Sequence, residues 1–109
     1  MALSAESFRP VAVCAQNDSL AVGARHAILA QRPEWSDLVF TGCDGSPDYG
    51  QRLVRAGELT ATVVSPPPTG SAVELVSAVL AGNPARDLRL SSRSYPSEEE
   101  LARRVRPGA

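Results

Sequence analysis

The sequence predicts an α/β fold: a three-layer, mainly parallel open sheet with helices on both faces. Three observations carry that reading. Short, continuous apolar runs alternate along the chain with segments of helical period. The runs Val11–Ala15 and Leu38–Cys43 lack the in-out alternation of a strand with one wet face, which points to parallel strands covered on both sides. The order strand, helix, strand, helix, strand, helix, strand is that of right-handed crossover units.

The first run, Val11-Ala12-Val13-Cys14-Ala15, is bounded by Pro10 and by Gln16-Asn17-Asp18. From Ser19 to Gln31 the period becomes helical, with Leu20, Ala24, Ala27 and Ile28 on one face. Asp18 or Ser19 is placed to cap this helix, and Arg32-Pro33 ends it. After a loop containing Trp35 comes the second strand, Leu38–Cys43. Asp44-Gly45-Ser46-Pro47-Asp48 turns into the next helix: Pro47 suits its first turn, Asp48 the positive end of its dipole, and Gly57 its C-terminal cap. The β-branched run Leu59–Val64 reads as the third strand, stopped by Pro66-Pro67-Pro68. Ser71–Ala81 is helical, with Ala72, Val73, Val76, Val79 and Leu80 on one side. Asp87–Leu90 alternates and is expected as a short edge strand. Ser97 with Glu100 makes a capping-box pattern before a terminal helix. The organisation expected is a disordered or non-native leader over 1–10, a folded unit over 11–92, and a tail with a weak helix over 93–109.

Composition narrows the function. A chain of 109 residues holds one domain with a modest core, and 43% hydrophobic residues exclude global disorder. No apolar run approaches the roughly 20 residues of a membrane helix. The net charge is −1, every basic residue is Arg, and the halves split after Val54 carry −2 and +1. No basic face offers itself to nucleic acid. Cys14 and Cys43 lie in apolar segments without metal-ligand spacing and are expected as two buried thiols; no metal or cofactor is implied. Met1–Ser7 has neither the cationic nor the apolar region of a signal peptide, so the chain as written reads as cytoplasmic.

In an open parallel sheet, ligands bind beyond the carboxyl ends of the strands. Gln16-Asn17-Asp18, Asp44 and Ser65 fall there. An Asn amide both donates and accepts, and a carboxylate accepts from two hydroxyls, so the set suits a neutral polyol. An anion site would want a glycine-rich loop or an Arg at the same edge, and the sequence places neither. A catalytic set of Asp44, His26 and a Ser lacks a nucleophile elbow, and His26 reads as a partly exposed helix residue. Asp44-Gly45 as a phosphoryl acceptor lacks an acidic partner and a Lys. The residues thus argue against an enzyme, while on spacing alone Asn and Asp at strand-to-helix junctions also read as helix caps and nothing more.

Three blocks, Val13-Cys14-Ala15-Gln16-Asn17-Asp18-Ser19-Leu20-Ala21-Val22-Gly23-Ala24, Thr41-Gly42-Cys43-Asp44-Gly45-Ser46-Pro47-Asp48 and Ala56-Gly57-Glu58-Leu59-Thr60-Ala61-Thr62-Val63, occur in order. Together they resemble the type I periplasmic sugar-binding proteins, ribose-binding branch, whose fold is shared by the effector domains of lactose-repressor-like regulators. The likeness runs from about Val11 to Leu90 and implies the carboxyl-terminal portion of such a two-lobed protein. It implies that Asn17 and Asp44 hydrogen-bond sugar hydroxyls and that Asp18 is a helix cap. Cys43 stands where the family often has an aromatic ring, and Ser65 where it often has Gln. By resemblance, the helix at Ser71–Ala81 and the strand at Asp87–Leu90 return to the first lobe. The implied function is the sugar-binding component of an ABC-type uptake system in the periplasm, partnered by a first lobe or a membrane permease. A sugar-sensing effector domain and an inert remnant are the alternatives. Regulators of this kind commonly read Gly-Phe-Asp-Asp in the second block, where this chain has Gly42-Cys43-Asp44-Gly45, and Asp44-Gly45-Ser46-Pro47-Asp48 resembles the transport branch. The strand Val11–Ala15 would be left with an open, wholly apolar edge, which predicts self-association.

Overall fold

The computed structural model describes residues 9–104. Four strands, β1 (Ala12–Cys14), β2 (Val39–Asp44), β3 (Ala61–Val64) and β4 (Arg93–Tyr95), form one open sheet in the order β1-β2-β3-β4. The first three are parallel, with Val13 beside Phe40 and Gly42 beside Thr62; β4 returns antiparallel to β3, with Arg93 beside Val64. Helices α1 (Asp18–Gln31), α2 (Gly50–Arg55), α3 (Thr69–Leu80) and α4 (Glu98–Arg104) complete the fold. A 3₁₀ turn at Pro33–Trp35 lies between α1 and β2.

The core is small and lies where α1 and α2 meet β2 and β3. Ala21, Leu38, Phe40, Leu53 and Leu59 are buried together, with Val13, Val22, Ile28, Trp35 and Val54 packed around them. The α1 stripe facing the sheet runs through Asp18 and Ala21, with Val22 and Ile28 partly buried, whereas Leu20 is exposed. The expected face through Leu20 is thus rotated, because Asp18 is drawn inward by polar partners from other elements. Residues of opposite parity in the strands, including Ala12, Cys14 and Val63, are exposed. The two thiols expected to be buried follow from this: Cys14 is exposed and Cys43 half-buried. Nothing described covers that side of β1.

Asn17, extended at φ −148° and ψ 172°, is the N-cap of α1 and accepts a hydrogen bond from Leu20 N at 2.8 Å. The expected caps, Asp18 and Ser19, lie inside the helix instead. Pro47 and Asp48 form a turn ahead of α2, which begins only at Gly50. Gly57, at φ +78°, ends α2 as expected; a Cβ would be strained there.

Beyond the prolines the structure departs further from expectation. α3 has no buried residue, and Val73, Val76, Val79 and Leu80 of its apolar stripe are exposed. The radius of gyration is 18.8 Å, against about 13 Å for a compact chain near this length. Asp87–Leu90 forms no strand, and Leu88 and Leu90 are exposed. The fourth strand is Arg93–Tyr95, so the segment expected as a tail from residue 93 begins with a member of the sheet. Alternation alone misplaced it: β4 is held by backbone pairing with β3, not by an apolar face. Ser97 Oγ caps α4 by accepting from Glu100 N at 3.2 Å. The expected leader lies outside the described residues except for Arg9 and Pro10. Arg9 pairs with Asp37, and this guanidinium holds the exposed Asp37 carboxyl below the usual carboxylate range. No helix is long and apolar enough to cross a membrane among the described residues.

Candidate functional site

β2 and β3 end level, with Asp44 beside Val64, whereas β1 ends at Cys14 beside Thr41, three residues back along β2; the polar residues that follow the strands lie toward the carboxyl edge of the sheet. Asp44 closes β2 with φ +98°, a left-handed conformation uncommon for a residue with a side chain. Its side chain is exposed and its carboxylate has no hydrogen-bond partner among the described residues. The backbone on either side is fastened. Ser65 N donates to Asp44 O at 3.1 Å, and Gln51 Nε2 donates to Gly45 O at 2.8 Å.

Ser65 stands next to Asp44, and its Oγ lies 3.9 Å from Cys43 Sγ. Asp44 and Ser65 line an open groove of about 610 Å³, together with Gln51, Val64, Pro66–Pro68 and Arg93. Asn17 and Cys43 are not among its lining residues. The Asn17 side-chain oxygen is committed to capping α1, which leaves its amide N–H groups to donate. Of the four residues expected at the site, Asp44 and Ser65 share the groove, Cys43 touches Ser65 from outside its lining, and Asn17 stands one strand away.

Two features were not foreseen. The first is Asp18, assigned above to helix capping. It is only 4% exposed, and its carboxylate accepts from Gly45 N at 2.8 Å and from Thr62 Oγ1 at 2.5 Å. Gly42 and Gly50 flank it so closely that a Cβ at either would overlap the Asp18 side chain. The second is Arg93. Because β4 runs antiparallel, its first residue lies at the carboxyl edge of β3, and Asp44, Val64 and Arg93 form a row across three strands. The expectation that no arginine stands at this edge is corrected by that reversal of direction. Strand spacing puts the Asp44 and Arg93 backbones roughly 10 Å apart, and no ion pair forms between them. An antiparallel return after the Asn83–Ser92 segment leaves no pattern in the sequence that would have located Arg93.

His26, by contrast, is exposed on α1 and meets Glu58 at 3.3 Å, away from the groove. No group of three or more His, Cys, Asp or Glu side chains could hold a metal ion among the described residues.

Comparison with known proteins finds partial likeness to sugar-binding proteins. The ribose import binding protein RbsB of Salmonella typhimurium strain LT2 is 41% identical over 73 residues, which are 65% of this chain and 24% of that protein. The protein of the same name from Escherichia coli strain K12 is 45% identical over 56 residues, 51% of this chain and 18% of that protein. The chain thus spans about a quarter or less of the length of the curated relatives it matches. Among solved structures, the fructose-binding periplasmic domain of a hybrid two-component system superposes with a TM-score of 0.69. It has 27% identity and covers 76% of this chain and 28% of that one. No family model matches the sequence. The chain carries part of a type I periplasmic sugar-binding fold.

Proposed function

We propose that this chain supplies one wall of a monosaccharide site in a solute-binding protein, the periplasmic receptor of an ABC-type carbohydrate uptake system. The observation that carries the reading is the Asp44 carboxylate. It is exposed and without a partner among the described residues, and it sits at the carboxyl end of a central parallel strand on a fastened turn. A carboxylate so placed accepts from two adjacent hydroxyls, the arrangement a sugar ring presents. Ser65 reaches a further hydroxyl directly or through a water, and Asn17 donates from the neighbouring strand end. Val64 and Pro66–Pro68 offer an apolar surface to the C–H face of the ring. Cys43 brings no ring to stack on that face. Similarity to ribose import proteins supports the assignment of a neutral sugar and of an uptake role.

One open groove contacts a ligand from one side only, so affinity in this chain alone is weak. Full enclosure needs the first lobe, and delivery needs a permease. Calorimetric titration with pentoses, hexoses and nucleotides tests the reading. A sugar response is expected, weakened in Asp44→Ala by about 1.5–3 kcal/mol, the worth of a hydrogen bond to a charged group. Tight nucleotide binding with no response to any sugar overturns it. A second reading, sensing in place of transport, is favoured by the likeness to a periplasmic domain of a two-component system. Under that reading the same sugar binds, but the bound chain engages a signalling partner and not a permease.

A further inference from the structure

We infer that Asp18 and Gln51 are positioning residues that set the backbone of the Asp44–Gly45 turn and thereby aim the Asp44 carboxylate into the groove. The inference rests on the reading of Asp44 as a sugar-contacting group.

Asp44 and Gly45 are consecutive residues at positive φ, +98° and +61°. Glycine tolerates this freely, but Asp44 does not, and such a conformation persists only where its surroundings over-determine it. Three bonds do so from three directions. Ser65 N holds Asp44 O from β3, Gln51 Nε2 holds Gly45 O from α2, and Asp18 Oδ2 holds Gly45 N from α1. The Asp18 bond is the deepest of these. A buried carboxylate is costly unless its oxygens are satisfied, and here Gly45 N and Thr62 Oγ1 satisfy one oxygen each. Asp18 also occupies the first turn of α1, where the helix dipole favours a negative charge.

The surroundings are cut to fit this carboxylate. Gly42 on β2 and Gly50 at the start of α2 both leave their Cβ space to Asp18. Neither glycine has positive φ, so the conformational freedom of glycine does not explain them; the space does. Asp18 and Gln51 are both buried, whereas Asp44 is exposed. Neither buried residue need touch a ligand. Their effect on binding passes through the turn, by removing the ordering cost that a loose Asp44 would incur on binding.

The test uses the full chain with four variants: Asp18→Ala, Asp18→Asn, Gln51→Met and, as a stability control, Leu53→Ala. Two readouts are followed, the Gly45 amide by NMR shift and hydrogen exchange, and calorimetric titration with D-ribose and D-fructose scaled to the folded fraction. Asp18→Ala is expected to speed Gly45 exchange at least tenfold relative to the amides of β2, and to weaken sugar binding at least tenfold. Asp18→Asn keeps an acceptor for Gly45 N, and the Thr62 hydroxyl can turn to accept from the amide. Binding is therefore restored to within about threefold. Gln51→Met shifts the Gly45 resonance and weakens binding severalfold, while Leu53→Ala lowers stability without altering affinity or the Gly45 shift.

An unchanged Gly45 amide in Asp18→Ala overturns the inference, as does an affinity loss no greater than that of Leu53→Ala. Where Asp18→Ala does not fold, an unaltered Gly45 shift and affinity in Gln51→Met overturn it. Failure of the unmodified chain to bind either sugar defeats the sugar reading alone, because Gly45 exchange still decides whether the turn is clamped.

Discussion

Helices α1 and α3 are similar in length and both carry an apolar stripe, yet α1 reaches the core and α3 does not. α3 has the more continuous stripe, with Val73, Val76, Val79 and Leu80, and every one of these is exposed. α1 buries a single alanine completely and is anchored by a carboxylate, Asp18. The difference teaches that periodicity marks a face to be covered without saying what covers it. α1 follows β1 through a three-residue link and is fixed by polar bonds to the β2–α2 turn and to β3. α3 follows three prolines that stop the ladder and lead the chain off the sheet.

The comparison breaks first in the core beneath α1. Phe40 is 2% exposed on the strand that α1 crosses. Phe40→Ala is expected to cost about 3–5 kcal/mol in urea unfolding, the usual cost of truncating a buried ring. A cost below about 1 kcal/mol would mean that α1 and α2 do not enclose a packed core.

Gly50→Ala probes the same region through its polar anchor. The added Cβ overlaps the Asp18 carboxylate, and one of the two must move. Overpacking of this kind costs about 1–3 kcal/mol. The equivalent change at Gly70, in the first turn of α3, meets open space and is expected to be neutral or slightly stabilising. Equal effects at the two glycines would erase the contrast between the helices.

Much of this fold was legible because its elements are periodic and parallel strands need a crossover segment between them. Gly57, Pro66–Pro68 and the Ser97 cap were readable because each acts on backbone within four residues of itself. Asp44 and Ser65 were readable because the carboxyl edge of a parallel sheet is a geometric rule. Asp18 was not, since its partners lie 27 and 44 residues away and its local setting is that of an ordinary first-turn acid. Arg93 was missed with β4, whose pairing rests on backbone bonds that leave no hydrophobic alternation. The exposure of α3 was equally hidden, because the amphipathic pattern is the same whether or not a partner is in reach.

Asn17→Ala separates capping from ligand contact. Loss of the bond to Leu20 N is expected to lower stability by about 1 kcal/mol. Asn17→Asp retains that cap but removes the side-chain N–H donors. If Asn17 contacts sugar, Asn17→Asp weakens ribose binding in calorimetry while the unfolding midpoint stays close to that of the unmodified chain. Unchanged binding in both variants would confine Asn17 to capping.

The smallest effect is expected on α3. Val76 is 59% exposed at the middle of the stripe, so Val76→Ala removes two methyl groups that already face solvent. Surface changes of this type stay within about 0.5 kcal/mol, and the higher helix propensity of alanine offsets part of any loss. Urea unfolding of this variant beside Phe40→Ala gives the comparison in one pair of curves. A loss above about 1.5 kcal/mol would show that α3 is covered in solution. Repeating the measurement over a hundredfold range of protein concentration then identifies the cover. A loss that grows with concentration assigns it to a second copy of the chain, because mass action ties such a partner's contribution to its concentration. A loss independent of concentration assigns it to the chain's own sheet, whose Ala12, Cys14 and Val63 side is the apolar surface left open among the described residues.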